Sequence, residues 1–194
     1  MILSPQGFIR VGLLVFLTVV FQVSAMERIH VFGGQPDLLP LLVAAVAIYA
    51  GSVPGAVCGF LAGLTLDMMI GDSLGAASLV LTAIGYGVGR YREVRDPAHS
   101  LMPIPLGAAA TLAYALGSAA VGFMLSIDAS VSFDVLRDML VLLILNTVIA
   151  LPVFGLVRRV LRPTLAVDPI ERRRRRRGPS QTGPIGLRGL GIGR

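Results

Sequence analysis

Six long apolar stretches alternate with short polar segments, and glycine, proline or a charged residue closes most of them. The pattern predicts helices at about 8–25, 34–50, 53–70, 74–89, 103–127 and 139–157, apolar on all sides as membrane-embedded helices are. The second stretch is the short one. Its unbroken apolar part, Leu38 to Ala50, is thirteen residues and as a helix covers only about 20 Å of a hydrocarbon core about 30 Å thick. It must therefore borrow residues from Val31 onward, sit where the bilayer is thin, or re-enter. Pro40 falls near its start, where a missing N–H costs little. Ser52-Val53-Pro54 reads as the next helix start, with Ser52 as N-cap and Pro54 in the first turn. Gly71-Asp72-Ser73 breaks that helix, and Pro152 predicts a kink in the last one.

The third helix carries the densest pattern. Gly51, Gly55, Gly59 and Gly63 recur every four residues, and Asp67 and Gly71 continue the interval. On an α-helix this spacing lays a smooth strip along one face, against which another backbone packs closely. Packing inside the molecule is the preferred reading over a dimer face, and Gly85 and Gly89 offer a matching small-residue surface on the fourth helix. A carboxylate at Asp67 facing lipid would cost roughly 2.5 to 3.5 kcal/mol, so it should face protein. It reads either as a structural group, a polar anchor bonded between helices or one lying near the outer interface, or as a proton- or substrate-binding group. The helix ends soon after it at Gly71, which supports the interfacial placement, and a structural role is preferred.

Composition agrees with the pattern: 55% of residues are hydrophobic, 14% are charged, and the mean hydropathy is +0.80. These values exclude a soluble globular domain and leave an all-α integral membrane protein, a bundle of about six transmembrane helices over residues 1–167. Positive charge changes the picture at one end. All seventeen basic residues are arginine, and eleven of them lie from Arg158 to Arg194. Residues 168–194, with their Gly, Pro, Ser and Gln, read as a disordered basic tail. Its run Arg172, Arg173, Arg174, Arg175, Arg176 and Arg177 is suited to anionic lipid; nucleic acid is a poor second, since no aromatic residue interrupts the charges. The basic tail and the loop of Arg90, Arg92 and Arg95 belong on the cytoplasmic side, and the acidic segment 128–138 on the other. Six crossings then put both termini inside; a re-entrant second stretch would move the N-terminus out. Phe8 to Ala25 also resembles a signal peptide ending at Val23-Ser24-Ala25, but the spans that follow favour an uncleaved first helix.

Candidate chemistry is sparse. His30 and His99 stand alone in loops, Cys58 is the only cysteine, and no metal-ligand spacing, nucleophile elbow or phosphate-binding loop occurs. No catalytic residue, cofactor or metal is expected.

Gln35-Pro36-Asp37-Leu38-Leu39 before a short apolar helix, then Gly55, Gly59-Phe60-Leu61-Ala62-Gly63-Leu64, Asp67 and Leu74-Gly75 resemble the rod shape-determining protein MreD family over about residues 35–93. The resemblance implies a fold like that of the substrate-binding S components of energy-coupling-factor transporters. It also implies a non-enzymatic role in the cell-wall elongation machinery (elongasome) of the bacterial inner membrane, supporting cell shape and peptidoglycan synthesis. The partners it implies are the bitopic protein MreC, the filament protein MreB, the glycosyltransferase RodA and the elongation transpeptidase. Gly55, Gly59, Phe60, Gly63 and Asp67 become the candidate helix-packing or partner-binding residues. Residues 168–194 have no counterpart in that family pattern. The competing class is a transporter component binding a small molecule, in which Asp67 would be the ligand group; a close-packed interior without a polar cavity would distinguish the two.

Overall fold

A computed structural model of the protein describes residues 5–25, 36–71, 74–94, 103–125 and 133–161. Six helices make up nearly all of these: α1 (Pro5–Ala25), α2 (Leu38–Ala50), α3 (Ser52–Ile70), α4 (Ala76–Val94), α5 (Pro103–Met124) and α6 (Phe133–Leu161). Ser52–Ile70, Ile104–Met124 and Arg137–Leu161 are long and apolar enough to cross a membrane. The protein is a helical membrane protein.

α2 is the axis of the bundle. It touches each of the other five helices and is buried at eleven of its thirteen positions. An apolar helix with no polar face is stable only when surrounded, and its Val43-Ala44-Ala45-Val46-Ala47 segment is small enough for neighbours to approach on every side. Tyr49, near its end, meets Phe154 of α6 edge-on with ring centroids 6.4 Å apart. Pairings of Gly55 with Gly85 and of Gly63 with Ser78 make α3 and α4 antiparallel, and those of Gly107 with Ala150 and of Thr111 with Asn146 do the same for α5 and α6. One end of the bundle therefore gathers Arg10, Arg90, Arg92, Arg158 and Arg159; Arg137 is at the other.

Several helix limits differ from those the pattern predicts. α2 begins at Leu38 rather than 34, because the Asp37 carboxylate accepts the Leu39 N–H at 3.1 Å and caps the helix there. α2 alone, at about 20 Å, is too short to cross. Ser52 is not the N-cap of α3: Gly51, at φ 109°, holds that position without a side-chain cap, and Ser52 is the first helical residue. α4 runs to Val94 and α6 from Phe133 to Leu161, beyond the predicted 74–89 and 139–157. Their added turns carry Arg90, Arg92, Arg137, Arg158 and Arg159, long side chains that reach water from a helix and hide it from a hydropathy reading. Pro152 lies within α6 on its exposed face. His30, His99, Asp72, Ser73 and residues 162–194, with Arg172 to Arg177, lie outside the described residues.

Candidate functional site

The glycine strip is a seam between α3 and α4. A Cβ on Gly55 would lie 2.7 Å from the Gly85 carbonyl oxygen and 2.5 Å from the Ala47 Cβ; one on Gly59 would strike the Leu81 carbonyl, and one on Gly63 the backbone of Ser78. From the other side, a Cβ on Gly85 would meet the Gly55 carbonyl, and one on Gly89 the backbone of Ser52. Backbone therefore lies against backbone along about three turns, the arrangement glycine spacing permits. α4 covers Gly55, Gly59 and Gly63, while Phe60 points outward, 48% exposed.

A carboxylate closes each end of this seam. Asp67, near the end of α3 and 7% exposed, accepts the N–H groups of Gly75 at 2.8 Å, Ala77 at 3.3 Å and Ser78 at 3.5 Å. These are the cap and first-turn donors of α4, which have no partner within that helix, and negative charge there opposes the positive end of the helix dipole. Gly71 at φ 74° and Gly75 at φ 100° bracket the turn that brings them back to Asp67, and only glycine holds such angles without strain. At the arginine end Glu93, in the last charged turn of α4, accepts the Ser52 hydroxyl at 2.6 Å and the Ser52 N–H at 3.2 Å. These bonds, with a third from Arg90, hold its carboxyl down at about 2. Each helix of the pair thus caps the start of the other.

A second polar cluster surrounds the start of α2. Asn146 of α6, fully buried, accepts the Asp37 N–H at 3.0 Å and donates to the Asp37 carbonyl at 2.8 Å and the Thr111 hydroxyl at 3.1 Å. Gln22 of α1 accepts the Leu38 N–H at 3.0 Å and donates to the Pro36 carbonyl at 3.1 Å. Three helices, α1, α6 and, through Asn146, α5, thus fix the depth at which α2 begins. Asn146, Gln22, Thr111 and Glu93 escaped the sequence reading, although an amide inside the apolar run 139–157 is itself a signal, since buried polar groups in a membrane need partners. Among the described residues no buried side-chain nitrogen or oxygen lacks a partner, and no group of His, Cys, Asp and Glu is arranged to hold a metal.

Two grooves mark the outer surface. One, of about 570 Å³, runs between α4 and α5 and is lined by Ala83, Gly87, Ala109, Ala113, Gly117 and larger apolar neighbours. The other, of about 430 Å³, lies between α1 and α6 above α2. Neither offers a charged side chain on its walls. The geometry can pack helices and present apolar faces.

Comparison with known proteins agrees with this reading. No curated protein and no solved structure matches the chain. The family model for rod shape-determining protein MreD matches residues 6–160, from the start of α1 to the end of α6. A match across the whole described bundle shows that the chain belongs to the MreD family of rod shape-determining membrane proteins.

Proposed function

We propose that this protein is a non-catalytic scaffold of the bacterial cell-wall elongation complex, holding transmembrane segments of partner proteins against its lipid-facing helices. Its seat is the inner membrane, with both termini cytoplasmic. Its partners are an MreC-type bitopic protein and, through the complex, MreB, RodA and the elongation transpeptidase; the tail adds contact with anionic lipid. The observation that carries the proposal is the use made of Asp67. Both its oxygens accept N–H groups at the start of α4, which leaves a structural role in place of the ligand role a transport component would need. The apolar lining of the two grooves supports the same side.

Photo-crosslinking residues placed at Phe60, Ala83 and Ala113 in living cells test the proposal. Phe60 and Ala113 are outward-facing, and Ala83 and Ala113 line the α4–α5 groove, whose small side chains admit a second helix backbone. An adduct with the MreC-type partner from at least one position is expected. Adducts with lipid alone from all three, in cells whose rod shape still depends on the protein, would contradict it.

A further inference from the structure

The groove between α1 and α6 differs from the one between α4 and α5 in what lines it. Leu14, Leu17 and Phe21 of α1 face Val153 and Leu156 of α6, with Leu42 of α2 in the groove as well. Bulky side chains on both walls keep a helix backbone at a distance, whereas a flexible hydrocarbon chain fits between them. The one hydroxyl on the wall, Thr18, donates to the Leu14 carbonyl at 2.8 Å, which leaves its methyl group for the groove.

Among the described residues, the arginines nearest the groove lie at one mouth. Arg10 precedes Leu14 by four residues, on the same face of α1, and Arg159 follows Leu156 by three on α6. The helical rise carries them about 6 Å and about 4.5 Å beyond the groove toward the arginine end. Both are exposed, and neither forms an ion pair among the described residues. An apolar slot with two unpaired cations at one mouth complements an amphiphile with a hydrocarbon tail and an anionic head.

We propose that this groove holds one anionic phospholipid, an acyl chain lying over α2 between α1 and α6 and the phosphate between Arg10 and Arg159. Arginine suits the task, since its planar donors grip phosphate oxygens in pairs. The lipid fills the outer groove between α1 and α6, over the buried side chains of Leu38 and Leu42.

Native mass spectrometry of the full-length protein in mild detergent, with phosphatidylglycerol or phosphatidylcholine added, reads this directly. The natural protein should retain one phosphatidylglycerol in preference to phosphatidylcholine. Arg10→Gln with Arg159→Gln should weaken that retention roughly tenfold or more, from about one charge-pair energy per arginine. Arg10→Lys with Arg159→Lys, which keeps the charge, should lose less. Arg92→Gln removes a cation from the same end but from α4, and should change nothing. Equal retention of the two lipids overturns the proposal, as does full retention by the Gln pair or an equal fall with Arg92→Gln. So does a crosslinker at Leu17 that captures polypeptide instead of lipid. None of these outcomes depends on whether the scaffold proposal holds.

Discussion

Asn146 makes three hydrogen bonds, two with the Asp37 backbone and one to the Thr111 hydroxyl. Replacing it with Leu leaves the N–H and the carbonyl of Asp37 unpaired, each costing about 1 to 3 kcal/mol. Thr111 is a milder case: its hydroxyl also donates to the Gly107 carbonyl within its own helix, at 2.9 Å, so Val there removes bonds without orphaning the α2 start. Thermal unfolding in detergent should show Asn146→Leu destabilised by at least about 2 kcal/mol and Thr111→Val by less than about 1.5 kcal/mol. Equal losses would mean that Asn146 acts by volume alone. The role of Asn146 was not legible in the sequence because its partner, Asp37, is 109 residues away. Residue type announced that a partner was needed; only the fold supplies which one.

α3 and α4 behave as one unit, because their contact is backbone on backbone and each caps the other. Two glycines of α4, two residues apart, separate this claim from a general glycine effect. A Cβ on Gly85 would sit 2.5 Å from the Gly55 carbonyl carbon, whereas one on Gly87 meets nothing within 4 Å. Gly85→Ala is expected to force the helices apart at about 1 to 3 kcal/mol. Gly87→Ala should be neutral or stabilising by up to about 1 kcal/mol, from better helix propensity. Membrane level and unfolding temperature of the two variants check it, and a Gly87→Ala loss as large as that of Gly85→Ala would contradict the seam. The Arg90–Glu93 ion pair contributes less, because it is exposed and screened by solvent. Glu93 matters through Ser52. Because its carboxyl is held below the usual 4.5, at about 2, this cap stabilises above the usual value and fades as pH falls toward 2. The seam was readable beforehand, since the four-residue glycine spacing survives in any helix. The caps were not, since a carboxylate does not name the helix it will close.

At the scale of the whole molecule, six apolar runs gave six helices in order, because burial in lipid leaves the chain no other way to satisfy its backbone. What the runs did not reveal is that the thirteen-residue one is the centre. Shortness alone suggested a helix re-entering or borrowing length; its position inside five neighbours follows from the surfaces of those neighbours. Length was misjudged at α4 and α6 for the related reason that arginine and aspartate can continue a helix past the hydrocarbon. The family match spans this entire arrangement, residues 6–160.

The central claim is that the acidic group buried in α3 closes a helix and carries neither proton nor substrate. Complementation of rod shape in cells lacking the natural protein tests it, with Asp67→Asn and Asp67→Leu compared at equal membrane levels. An amide oxygen can still accept the Gly75 N–H that now lies 2.8 Å from Asp67, so Asn keeps the strongest cap bond while Leu orphans all three donors, at about 1 to 3 kcal/mol for each. Asp67→Asn should restore rod shape and recover the MreC-type partner, and Asp67→Leu should fail at both. Asp67→Asn as defective as Asp67→Leu, in protein that is present and folded, would contradict the account and assign the carboxylate a chemical task.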